Sequence, residues 1–229
     1  MRPTRAAAAL AAAATLALTL SACGTHPGAA ATVGAKPIGT GQLDQVASAI
    51  CSAQARNQQQ TGASQALSSR SNRELALGVL IDSRLSTAYG DALGVRPSQA
   101  QLNSAAANRQ QLIASVPSRY RATLTSTLAD LDKSQLTMAE VGRRQLQQSG
   151  ATNITAQTAI PAGLKARNAW VTKHLDVSVD PRFGTFSNGQ LKAGSGSLST
   201  AVSTKAVDGA RTQPPATWLA SLPASQKCS

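Results

Sequence analysis

Apolar residues along this chain recur mainly at three- and four-residue steps, the period of one face of an α-helix. Behind Thr40, which has the side chain of an N-cap, Leu43, Val46, Ala47, Ile50 and Cys51 form one stripe and predict a first helix. Residues 54–69 are rich in Gln, Ser, Ala and Asn and read either as a weak helix or as a flexible connection. Ser71-Asn72-Arg73-Glu74 matches a capping box, in which the serine accepts from the third helical N–H and the glutamate reaches back. It opens a helix through Leu75, Leu77, Val79, Leu80, Ile81, Leu85, Ala88 and Tyr89. Between 75 and 81 this helix is apolar almost all round, which places it in the middle of a bundle.

Leu93-Gly94-Val95 has the glycine and following apolar residue of a Schellman stop. Ser98-Gln99-Ala100-Gln101 then starts a second capped helix, with Leu102, Ala105, Ala106, Leu112 and Ile113 facing inward. After Val116-Pro117-Ser118 the chain restarts, with proline where a helix tolerates it. Tyr120, Leu124, Leu128, Leu131, Met138 and Val141 predict one long helix to about Leu146, closed by Ser149-Gly150. A last helix runs from Pro161 to His174 and carries Leu164, Trp170 and Val171. Two short segments have strand character, Ala31-Thr32-Val33 and Val177-Ser178-Val179, the first broken by Gly34-Ala35-Lys36-Pro37. From Ser187 to Pro215 the Gly, Ser, Ala, Thr and Lys content reads as a solvated tail.

These elements predict a mainly α protein, a bundle of about five to six helices over residues 31–186, with a tether at 23–30 and a low-complexity tail at 187–229. A strand alone cannot satisfy its backbone, so pairing 31–33 with 177–179 in a small two-stranded sheet is the economical arrangement. Pro181 has no N–H to donate and would end that pairing. The chain's only two phenylalanines, Phe183 and Phe186, follow at once. There they would cap the helical core and clasp the returning chain; a ligand patch is the alternative.

The first 22 residues bear on where this bundle works. Arg2 and Arg5 precede an uncharged, mostly Ala/Leu run from Ala6 to Leu20, too short for an ordinary membrane span and right for a secretory leader. Leu20-Ser21-Ala22-Cys23 then resembles a bacterial lipobox, whose small residues admit a peptidase and whose Cys23 thiol takes up a diacylglyceryl group. Acyl chains contribute ~0.8 kcal/mol per buried CH₂ and would hold the protein on the outer face of the cell membrane. Formal net charge is +12, of which Arg2 and Arg5 contribute two. For an exported protein the counter-surfaces are anionic lipid headgroups or cell-wall polymers rather than nucleic acid, or the charge is only a solvated face. Two thiols are left, Cys51 and Cys228. Either they form a disulfide tying the C-terminus to the first helix, or Cys51 is buried and inert and Cys228 is free.

Catalytic chemistry is hard to find. No CxxC, HExxH, GxSxG or P-loop pattern occurs, and nothing suggests a metal or an organic cofactor beyond the lipid on Cys23. His174 and Asp176 read as a helix-end histidine and its neighbour rather than an acid–base pair. Asp130 and Asp132, two apart on a helix, point to different faces.

The order of the pieces resembles a known family. Ala31-Thr32-Val33-Gly34-Ala35-Lys36-Pro37-Ile38 before a Thr40-capped helix is similar to the start of SurA- and PrsA-type foldases. Val79 to Leu85, Ala88, Gly94-Val95 and Ser98 to Gln101 resemble their central helix pair, and Asp180-Pro181-Arg182-Phe183-Gly184-Thr185-Phe186 the closing stretch of actinobacterial lipoproteins with a SurA N-terminal-like chaperone domain. Gly34-Ala35 stands where that family has Asn-Gly, and Asp180 where it has Asn. The 43 residues after Phe186 leave no room for a parvulin domain. The resemblance therefore implies a non-catalytic, membrane-tethered chaperone that binds unfolded or secreted polypeptides in an apolar groove, drawn here from Leu77, Ile81, Leu85, Leu124 and Leu128. A structural lipoprotein binding one envelope partner or polymer is the alternative, and a cryptic prolyl isomerase a third.

Overall fold

A computed structural model of the protein describes residues 28–61, 67–194, 200–211 and 214–228. Strand β1 (Ala29–Val33) turns at Gly34, whose φ of 57° suits a residue without Cβ, into β2 (Lys36–Gly39). On its other edge β1 pairs antiparallel with β3 (Val177–Val179), with Ala31 opposite Val179 and Val33 opposite Val177. The sheet thus has three strands in the order β2-β1-β3 and not the two expected. Its third strand, β2, holds Pro37, which a sheet accepts on an edge.

Five long helices follow: α1 (Thr40–Thr61), α2 (Ser69–Ala92), α3 (Gln99–Ser115), α4 (Ser118–Gln148) and α5 (Ala156–His174). The start of α2 differs from expectation. Ser68, not Ser71, is the N-cap and accepts from the Ser71 N–H at 3.0 Å, while Glu74 pairs with Arg70 at 2.9 Å. The expected stop is present: Gly94 has φ 63°, the Val95 N–H donates to Gly90 O at 2.8 Å and the Gly94 N–H to Asp91 O at 3.2 Å, the two bonds of a Schellman motif. Ser98 and Gln101 form the capping box of α3. Helix α5 begins five residues before Pro161, so the proline lies inside it and only removes one intrahelical donor.

The tightest joint is the α4–α5 crossing. A Cβ on Gly142 would lie 1.8 Å from Ala159 O, and one on Gly163 would lie 2.0 Å from Met138 O. The two helices therefore meet backbone to backbone, and only glycine fits at either point. Around this joint Tyr89, Val95, Met138 and Val141 form one buried cluster. The main core lies between sheet, α1, α2 and α5, and a third cluster joins Ala49, Ala53, Val116 and Leu124.

The segment after Phe186, expected as a solvated tail, carries structure in its described residues. β4 (Gly184–Ser187) pairs with β5 (Gln190–Ala193), and α6 (Thr204–Ala210), α7 (Ala216–Ser221) and a 3-10 turn (Ala224–Gln226) follow. Leu191 packs on the main core and Leu222 is buried. The Trp218 ring covers Gly209 so closely that a Cβ there would lie 2.4 Å from it. From α2, the Arg70 guanidinium donates to the carbonyls of Gly194 and Gly209. A chain rich in Gly, Ser and Ala is thus held by a few contacts that composition does not reveal.

Candidate functional site

The five residues proposed as a client groove separate in the structure. Leu77, Ile81, Leu85 and Leu124 are at most 2% exposed and lie in closed packing. They are core, and no client can reach them. Periodicity gave the face on which Leu77, Ile81, Leu85 and Leu124 lie, but α2 is flanked by α1, α4, α5 and the sheet, so that apolar face is filled by the protein itself. Leu75, expected in the middle of the bundle, is instead 44% exposed.

Leu128 is the exception. It is half-buried on the wall of a groove of about 710 Å³ between α3 and α4. Leu102, Ala106, Ile113, Ala114 and Ala129 supply most of the remaining apolar wall. The groove exists because α3 has no fully buried residue. Leu102, Ala105, Leu112 and Ile113, expected to face inward, are only half-buried, and Ala106 is exposed. Across the groove Arg109 of α3 pairs with the buried Asp132 of α4 at 3.0 Å. That contact holds the two helices at a fixed distance and leaves the apolar strip beside it open to solvent.

Other singled-out residues have structural surroundings. Asp180 N–H donates to Ala30 O at 2.9 Å as the last bond of the β1–β3 edge, and Pro181 follows it in an exposed turn. Phe183 and Phe186 are both half-buried and pack against the main core. Asp180 accepts from Arg182 at 2.7 Å, and this hydrogen bond holds its carboxyl below the ordinary value. His174 stacks on Trp170 with ring centroids 5.3 Å apart. Asp130 is exposed and Asp132 buried, so the two do not face each other. Cys51 of α1 and Cys228 are joined by a disulfide, with Cα atoms 5.3 Å apart.

One residue was missed. Arg167 of α5 is 2% exposed, donates to Ser86 Oγ at 3.0 Å and pairs with Asp82 at 3.0 Å, both on α2. Burial pushes its guanidinium below the ordinary value, with Asp82 opposing the shift. Nothing in an arginine in the middle of a helix announces such a position, and only the α2–α5 contact creates it.

A smaller hollow of about 370 Å³ lies beneath the Gly34 turn, where Arg84 donates to the carbonyls of Lys36 and Pro37 at 2.8 and 2.9 Å. Among the described residues no three His, Cys, Asp or Glu side chains gather as metal ligands, and no helix is long and apolar enough to cross a membrane. Leu20, Ser21, Ala22 and Cys23 lie outside the described residues. The chain matches no family model, no curated protein and no solved structure.

Proposed function

We propose that this protein is a lipid-anchored, chaperone-like lipoprotein on the outer face of the cell membrane, and that it holds apolar segments of unfolded secreted polypeptides in the α3–α4 groove. The observation that carries this reading is the groove itself. Six apolar side chains from two helices line about 710 Å³ of space, wide enough for an extended segment of a few residues. The lipobox at residues 20–23, and the order of pieces resembling SurA-type chaperone domains, support where it works and on what. Ile113 and Leu128 pack on the Ala49, Ala53, Val116 and Leu124 cluster with one side and line the groove with the other, so a client would add to that packing without unfolding the bundle.

Holding needs no bond to be made or broken. Removing apolar client surface from water contributes roughly 25 cal/mol per Å². The test replaces Ala106 and Ala129 together by glutamate. Both are exposed, so the fold should keep its melting temperature while the strip becomes charged. Suppression of aggregation of a reduced, denatured client should be present in the unmodified chain and largely lost in the double variant. Equal suppression by both, or none by the unmodified chain at several-fold molar excess, would count against the groove.

A further inference from the structure

A second, polar cleft of about 670 Å³ opens where the middle of α1, the first turns of α2 and α4, and the C-terminal 3-10 turn meet. Arg56, Arg73 and Arg119 line it against one carboxylate, Asp44. Arg73 is paired with Asp44 at 2.9 Å, whereas neither Arg56 nor Arg119 is ion-paired among the described residues. Arg119 lies over the ring of Tyr120, 4.8 Å from its centroid. Helix α4, 31 residues long, enters the cleft at Pro117 with no side chain capping its first N–H groups. Arg56 donates to the neutral Gln59 Oε1 at 3.3 Å, so the positive end of α4 adds to two guanidinium charges that have no ion pair among the described residues, and together they favour an anion.

An independent feature narrows the anion. Asn72 lines the same cleft and is only 3% exposed. Its amide nitrogen donates to Ala47 O, but its Oδ1 receives no hydrogen bond from any described residue. A buried acceptor without a donor is costly, and an anion alone would make it worse by bringing a second acceptor near it. A neutral sugar would satisfy Asn72 and leave the guanidiniums unused. A phosphate ester that also carries hydroxyl groups meets both demands, with phosphate on Arg56, Arg119 and the α4 terminus and a hydroxyl donating to Asn72 Oδ1.

We infer that this cleft binds a polyol phosphate, by ion pairing at Arg56 and Arg119 and by a hydroxyl donated to the buried Asn72. The site does not depend on the α3–α4 groove. It does depend on the disulfide: Cys51 lines the cleft, and the wall formed by Ser225 and Gln226 is tied down through Cys228.

Titration calorimetry on the full chain with its disulfide formed tests the assignment. The ligands are sn-glycerol 3-phosphate, propyl phosphate, which has no alcohol hydroxyl, and glycerol. We expect glycerol 3-phosphate to bind roughly tenfold more tightly than propyl phosphate, and glycerol not to bind. Arg56→Gln and Arg119→Gln, both at exposed positions, should each weaken the phosphates roughly tenfold. Asn72→Ala should erase the preference between the two phosphates; should it fail to fold, the two-ligand comparison on the unmodified chain carries the same information. Reduction of the disulfide should weaken binding. Equal affinities for the two phosphates overturn the role of Asn72, and unchanged affinity in both Arg56→Gln and Arg119→Gln overturns the site. Competition by phosphatidylglycerol vesicles or by soluble poly(glycerol phosphate) identifies a lipid headgroup or a polymer as the source. Competition by neither leaves the free ester.

Discussion

Gly142→Ala should be among the most damaging single-methyl additions in this protein. The new Cβ would lie 1.8 Å from Ala159 O and 2.7 Å from Gly163 N, where real Cβ contacts essentially never fall under 3.0 Å. Both atoms belong to backbone, so no rotamer change relieves the clash. Helices α4 and α5 must part by about 1 Å, and a gap of that size forfeits roughly a quarter to a half of each dispersion contact along the seam. Met138, Val141 and Ala159, all at most 3% exposed, would lose packing together. Overpacking typically costs about 1–3 kcal/mol and sometimes more, while alanine returns up to ~1 kcal/mol of helix propensity. With a backbone clash at the top of that range, a net loss of about 2 kcal/mol should lower Tm by roughly 4–8 °C in a chain of this size. The control is Gly78→Ala in the interior of α2, where nothing lies within 4 Å of the new Cβ. It should be neutral or stabilising by up to ~1 kcal/mol. Thermal and urea unfolding followed by circular dichroism read both variants. If both move Tm in the same direction, or if Gly142→Ala is as stable as the unmodified protein, the α4–α5 seam is not the close contact described.

Three further outcomes are expected. Cys51→Ser with Cys228→Ser should lower stability by at most about 5 kcal/mol on the chain-entropy account, measured by urea unfolding, and alkylation should modify neither cysteine before reduction. Asp82→Ala should destabilise more than Arg167→Met, about 3 against 1–2 kcal/mol, because the first strands a buried guanidinium and the second leaves a carboxylate half open to water; denaturant titration compares them. Asp180 has its carboxyl held below the ordinary 3.8 by the Arg182 hydrogen bond. Its contribution is therefore complete above pH 3.8 and lost as pH falls through the lower folded value. Asp180→Asn should accordingly be less stable than the unmodified chain above that pH and equal to it in stronger acid.

Features written in adjacent residues were legible in the sequence. The Gly94 stop, the Ser98 cap and the β1–β3 pairing each follow from a few neighbouring side chains and from the need to satisfy backbone groups. The start of α2 was not, because Ser68 and Ser71 both carry capping side chains, and local pattern cannot choose between them; the bridge from Ser68 to Lys227 acts on the first. Depth was harder than face. Leu77 and Leu128 have the same apolar character, yet one is sealed in the core and the other lines a groove, since the number of neighbouring helices is a tertiary fact. The arginine cleft was invisible for the same reason: its walls come from positions near 56, 73, 119 and 225. Nor do Gly142 and Gly163 declare themselves as a pair until two helices are laid together.

The Cys51–Cys228 bond spans 177 positions and turns most of the chain into a covalent ring. A protease that cuts once anywhere within that ring opens it without dividing the molecule. The pieces stay joined and can remain packed, so a nicked protein would migrate as one species until a reductant is added. Only a second cut in the ring, or a cut outside it, sets a fragment free. For every residue between the two cysteines, that topology makes loss of material a two-hit event.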